Sequence, residues 1–182
     1  MNNTSLNSRR GQRLIFLIGF MGCGKTTWGR RLAAHLGYEF IDLDHVLEHQ
    51  TGMAIAEYFS TFGEDAFRKL ESDVLKNTPY PENAVISTGG GLPCFFDHMQ
   101  WMNANGKTLY IKLSPKALAS RLENPATKRP LLHDKHGYEL VTFIAEKLAE
   151  RESFYNQATV TADGLNLSVQ GLEQLLSVNG PV

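Results

Sequence analysis

The chain has 182 residues, 42% of them hydrophobic and 20% charged, with a formal net charge of −1. That length suits one compact domain with its own core, and the near-neutral balance lacks the basic excess of a nucleic-acid binder. Two cysteines, Cys23 and Cys94, suggest neither a disulfide framework nor a zinc cluster, and no apolar run approaches the roughly 20 residues of a membrane span.

Residues 1–12 are polar and Asn/Ser-rich and read as a disordered tail ahead of a single domain over 13–182. Ser8-Arg9-Arg10 before the apolar run 14–22 imitates an export signal. That run leads straight into a phosphate-binding motif that cleavage would destroy, so a cytoplasmic protein is expected. Short apolar runs at 14–18, 38–42, 84–87 and 108–113 predict strands of a sheet covered on both faces, with a weaker one at 158–161. Between them fall helical patterns. One covers 25–36 and stops before Gly37, a second covers 44–50, and a third covers 54–76 with a break near Gly63. Ser114-Pro115 predicts an N-cap and first helical position ahead of 116–123. Longer and shorter helices are predicted over 137–155 and 168–177. The segment 124–136 is rich in Pro, Lys, Arg and His and reads as a mobile loop, a natural lid. Alternating strands and helices point to an α/β protein with a parallel sheet.

The most specific motif is Gly19-Phe20-Met21-Gly22-Cys23-Gly24-Lys25-Thr26, a complete G-x-x-x-x-G-K-[ST] between a strand and a helix. Its glycines let successive backbone N–H groups turn toward phosphate oxygens, and the helix start adds its positive dipole end. Lys25 is placed to reach the β- and γ-phosphates, and the Thr26 hydroxyl to ligate magnesium. Gly22, Cys23, Gly24 and Thr27 complete the expected nucleotide contacts, with Cys23 a small filler whose backbone N–H matters.

A GTP switch would need an N-K-x-D element, which the sequence lacks. Many ATPases hold magnesium with a carboxylate after a hydrophobic strand, but here that strand runs into Thr88-Gly89-Gly90-Gly91. Asp42-Leu43-Asp44 is the alternative source. In an extended segment both carboxylates face one way, whereas a plain capping role remains open for Asp44. Arg151 lies three turns beyond Leu140 on the apolar face of its helix. An arginine there needs an anionic partner or snorkels at the helix end. Arg68 has Glu64 at i−4 and Glu71 at i+3. Spacing alone points to a surface ion pair. The sharper alternative makes Glu71 an orienting partner that leaves the guanidinium fork for a ligand carboxylate. Gly89, Gly90 and Gly91 are either a tight turn or a place where backbone approaches a ligand.

Taken in order, GFMGCGKTTWGRRLA, FIDLD, GMAIAEYFSTFGEDAFRKLE, VISTGGGL, KRPLL and RESFY resemble the shikimate kinases over about residues 14–160. The resemblance implies a P-loop NTPase fold of the nucleoside-monophosphate kinase type, a five-stranded parallel sheet flanked by helices. It also implies a substrate-binding subdomain over about 42–76 and a lid over about 124–136. The implied reaction moves the γ-phosphate of MgATP to the 3-hydroxyl of shikimate, on the route to chorismate and the aromatic amino acids. By motif, Lys25, Asp44 and Arg129 would be catalytic. Arg68, Gly89, Gly90, Gly91 and Arg151 would hold substrate beside Asp44. Thr26 and, through water, Asp42 would hold Mg²⁺, and Arg121 would stack on adenine. We expect a monomer with no nucleic-acid or membrane partner. The departures are Leu43 within D-x-D, Arg151-Glu152-Ser153-Phe154-Tyr155 where the family has R-x-P-L-Y, and Asp163-Gly164-Leu165-Asn166-Leu167 without the usual Arg and Pro. The rivals are a gluconate-type or nucleotide kinase, and a catalytically silent ATP-binding regulator.

Overall fold

The computed structural model describes residues 13–123 and 135–178. The predicted tail 1–12, most of the predicted lid and Arg129 lie outside the described residues. Five parallel strands, β1 (Arg13–Ile18), β2 (Glu39–Asp42), β3 (Asn83–Ser87), β4 (Lys107–Lys112) and β5 (Val160–Asp163), form one sheet in the order β2-β3-β1-β4-β5. The helices are α1 (Lys25–Leu36), α2 (Leu43–Thr51), α3 (Ile55–Asn77), α4 (His98–Asn105), α5 (Pro115–Leu122), α6 (Gly137–Tyr155) and α7 (Val169–Val178). Among the described residues no helix is long and apolar enough to cross a membrane.

The period-two alternation of strands sorts β1 between two cores. Leu14, Phe16 and Ile18 face a cluster with Leu43 and Leu47 of α2, Phe67, Val74 and Leu75 of α3, and Met99 and Met102 of α4. Ile15 and Leu17 face Leu32 and Ala33 of α1 and Leu172 and Leu176 of α7. A third cluster joins Phe20 and Cys23 to Leu118 and Leu122 of α5 and Leu140 and Ile144 of α6. Truncating a side chain as enclosed as Phe16 would cost about 3–5 kcal/mol.

The local signals mostly hold. Helix α1 ends on Gly37 in the left-handed region (φ +70°), and the Ser114 hydroxyl accepts from Ala117 N at 3.2 Å. Gly63 breaks α3 with φ +80° and ψ 175°. The last strand begins two residues later than expected, at Val160. Helix α4 and the 3-10 turn Leu92–Cys94 were not foreseen. Methionines three apart within HMQWMNAN are too short a pattern to mark a helix.

Candidate active site

The register of three neighbouring strands creates the site. Leu17 of β1 and Asp42 of β2 both align with Ser87 of β3. The phosphate loop, the D-x-D segment and the triple glycine therefore leave the carboxyl edge side by side, where open α/β sheets bind ligands. Thr88 ties the edge together, its N–H and hydroxyl both donating to Leu17 O at 3.2 and 3.0 Å.

The loop after β1 has the conformation its glycines permit: Gly22 has φ +80° and Gly24 φ +101°. Gly24 is also the N-cap of α1 and offers no side-chain bond to the first turn, so the leading N–H groups of that helix are available to an anion. Lys25 is buried, its ammonium donating to Gly19 O (2.8 Å) and Phe20 O (3.1 Å). These neutral acceptors hold the charge inside the loop. Cys23 is fully buried, and its N–H donates to Phe20 O rather than lining the loop mouth. A cavity of about 260 Å³ runs from Gly22, Gly24, Lys25, Thr26 and Thr27 past Ser87, Thr88 and Gly90 to Asp44 and Arg121. Arg121 donates to Cys23 O (3.0 Å) and Gly164 O (3.1 Å), linking the loop to the turn after β5.

The D-x-D geometry differs from the sequence expectation. The extended chain stops at Asp42, and Asp44 already lies in the first turn of α2, so the two carboxylates are not alternate residues of one strand. Asp42 is the N-cap, its Oδ1 accepting from Asp44 N at 3.2 Å. Its Oδ2 accepts from the Thr26 hydroxyl at 2.8 Å. A hydroxyl and a carboxylate oxygen this close suit a hard divalent cation that takes its other ligands from water and phosphate. Among the described residues no cluster of three or more His, Cys, Asp or Glu side chains could hold a metal by itself.

Each glycine of the triple faces something different. A Cβ on Gly89 would lie 2.9 Å from Glu71 Oε1 and 3.0 Å from Asp44 Oδ1. One on Gly90 would lie 3.2 Å from Met21 N in the phosphate loop, and one on Gly91 3.0 Å from the Arg68 guanidinium. The turn is therefore a junction between nucleotide loop, acidic pair and arginine. Arg68 donates through Nε and Nη2 to Glu64, both at 3.2 Å, and through Nη1 to Glu71. Only the Glu64 contact is a surface pair: Glu64 is 54% exposed, Glu71 4%. Burial pushes the Glu71 carboxyl up to about 7, against the pull of Arg68, with Asp44 adding to the rise and Arg151 opposing it. Arg151 stands over the Phe20 ring at 5.4 Å, on the face that Leu140 and Ile144 bury. Arg68 and Arg151 both act electrostatically on Glu71 and Cys94, whose thiol burial pushes up to about 11. The Tyr155 hydroxyl donates to Gly90 O at 2.6 Å and fixes the end of α6 against the turn.

The described residues singled out in the sequence thus meet at one edge; Arg129 lies outside the described residues. Sequence reasoning missed Phe95, whose ring centroid lies 4.1 Å from the Arg68 guanidinium carbon. No spacing or motif could have marked it.

A family model described as shikimate kinase matches residues 21–177. The shikimate kinase of Parabacteroides distasonis is 48% identical over 149 residues, covering 82% of this chain and 86% of the relative. A crystal structure of shikimate kinase from Bacteroides thetaiotaomicron superposes with a TM-score of 0.86 at 40% identity, covering 91% of this chain and 98% of that one. A shikimate kinase from Acinetobacter baumannii, solved in complex with shikimate, gives 0.81 at 31% identity over 94% and 96% of the two chains.

Proposed function

The chain belongs to the shikimate kinase family, and from that premise we propose how its residues carry the γ-phosphate of ATP to the 3-hydroxyl of shikimate. It is an ATP-dependent kinase with an alcohol acceptor, of the pathway to chorismate and the aromatic amino acids. One observation carries the assignment of roles: Asp44, Glu71 and Arg68 border the triple glycine whose middle residue packs on the phosphate loop.

Lys25 and the uncapped start of α1 take the phosphates, exchanging the carbonyls of Gly19 and Phe20 for phosphate oxygens. Thr26 and Asp42 would hold Mg²⁺, which would supply neutralisation of phosphate charge. The Asp42 side chain is oriented for this by its capping bond to Asp44 N. Arg68 and Arg151, on separate helices, take the shikimate carboxylate. Asp44 orients the acceptor hydroxyl and accepts its proton as the oxygen bonds to the γ-phosphorus and the bond to ADP breaks. Arg129 covers the phosphates, and closure of 124–136 over the site keeps water from the γ-phosphate. Arg121 lies beside the base. The segment 42–76 serves as the substrate subdomain of a single domain over 13–182. The protein acts as a monomer, and a reducing cytoplasm suits the free thiols Cys23 and Cys94.

The test is ADP release measured with magnesium and shikimate, gluconate or AMP as acceptor. Release dependent on shikimate alone is expected. Turnover on gluconate or AMP instead, or ATP binding without turnover on any acceptor, would overturn the reading.

A further inference from the structure

We propose that Phe95 is a positioning residue for substrate, its ring holding the plane of the Arg68 guanidinium so that the outer edge of the fork stays aimed at the substrate carboxylate. This rests on the reading of Arg68 as a carboxylate ligand.

Three observations carry it. The first is what Arg68 has left to offer. Of the five N–H groups of a guanidinium, the bonds to Glu64 and Glu71 use three, leaving one on each terminal nitrogen among the described residues. A guanidinium can serve a carboxylate side by side through its two terminal nitrogens. The bonds to the two glutamates hold the edges of the group. A ring against one face restrains its tilt; the Phe95 centroid lies 4.1 Å from the guanidinium carbon, nearer than the Phe67 centroid at 5.1 Å, and both are within cation–π range.

The second is that Phe95 has no place in the core. Its neighbour Cys94 packs against the cluster under β1 and β3, whereas Phe95 belongs to none of the three buried clusters. A half-buried phenylalanine outside the core whose close ring contact is an arginine is poorly explained by packing alone.

The third is that the surrounding backbone is organised to present it. The turn after Gly91 closes with Cys94 N donating to Gly91 O (3.0 Å) and Phe95 N to Leu92 O (3.4 Å). The buried His98 ring bonds the same Leu92 carbonyl through Nδ1 at 2.7 Å. Phe96 then adopts φ +49°, a left-handed conformation that a phenylalanine takes only under constraint. The two aromatics diverge there: Phe95 lies on Arg68, and Phe96 is 62% exposed.

The experiment compares the native enzyme with Phe95→Leu and Phe95→Tyr, on shikimate and on shikimate carboxamide, which lacks the anionic carboxylate. Phe95→Leu should raise KM for shikimate about three- to tenfold, as expected for loss of a partly desolvated cation–π contact. kcat and KM for ATP should stay within about twofold, and Phe95→Tyr, which keeps the ring, should restore the native KM. On the carboxamide the leucine and native enzymes should be equally poor. Should leucine at 95 fail to fold, methionine provides the same comparison. An unchanged KM in the leucine variant overturns the proposal, as does an equal loss in the tyrosine variant or an equal proportional loss on the carboxamide. If the native enzyme instead uses the carboxamide as well as shikimate, the carboxylate reading of Arg68 fails, and Phe95 falls with it.

Discussion

Replacing Glu71 by glutamine sets stability against function. Removing one member of a buried ion pair ordinarily destabilises by 3–5 kcal/mol, because the other charge is stranded. Here the balance runs the other way. Arg68 keeps Glu64 at the solvent edge, and burial is the largest influence on Glu71, raising its pKa from the ordinary 4.5 to about 7 despite Arg68. That rise corresponds to about 3 kcal/mol against the ionised form. Between pH 4.5 and 7 the folded chain keeps a proton that the unfolded chain has released, so stability falls as pH rises through that window and levels off above it. Glutamine is neutral throughout and escapes the loss. The groups facing residue 71, namely Arg68, Asp44 and Arg151, are the same in both proteins. Urea unfolding followed by the fluorescence of the two tryptophans should therefore show Glu71→Gln close to the native protein at pH 4.5 and more stable by about 3 kcal/mol at pH 8. The same variant should bind shikimate less well, since Arg68 loses its ionised partner. A stability difference that stays constant from pH 4.5 to 8 would refute the account of Glu71 as a carboxyl held near neutrality by burial.

Three further outcomes are expected. Gly91→Ala should fold, because its Cβ meets the movable Arg68 guanidinium rather than backbone, yet raise KM for shikimate about tenfold with KM for ATP unchanged, as steady-state kinetics would show. His98 is fully buried, its Nδ1 on Leu92 O and its Nε2 without a partner among the described residues, and burial lowers its pKa. The unfolded chain protonates first, so this contribution to stability is present above about pH 6.5 and lost as pH falls below it. Asparagine at 98 should remove that loss, seen as a shallower drop in urea midpoint between pH 7 and 5.5. Arg129→Ala should leave unfolding unchanged and lower kcat by about a hundredfold or more, as loss of a transition-state donor does. Unchanged turnover would remove Arg129 from the mechanism.

Much of the site was legible because phosphate chemistry demands fixed residue types at fixed spacing. The loop from Gly19 to Thr26 could be assigned from its spacing because it wraps its ligand with consecutive backbone groups, a local matter. Arg151 was legible for a related reason, since a charge on the apolar face of a helix stands out by period alone. Arg68 shows where period fails. Spacing alone points to a surface ion pair, with Glu71 as orienting partner only the alternative, and packing of α3 against the triple glycine decides it by burying Glu71 and exposing Glu64. Asp44 shows a milder limit: a strand ending at 42 and a helix from 44 were legible, but the capping aspartate is Asp42 and not Asp44.

What the chain determines by itself is local. Strands, most helices, the glycine loop and the family follow from patterns a few residues long, whose physical causes act over one or two turns of chain. The order of the strands, the row formed by Leu17, Ser87 and Asp42, the burial of Glu71 and the ring beneath Arg68 were decided only by tertiary structure. The reason is that desolvation and stacking depend on which distant surfaces meet. Glu71 acquires its charge state, and Arg68 and Phe95 their orientation, from neighbours that no short stretch of sequence contains.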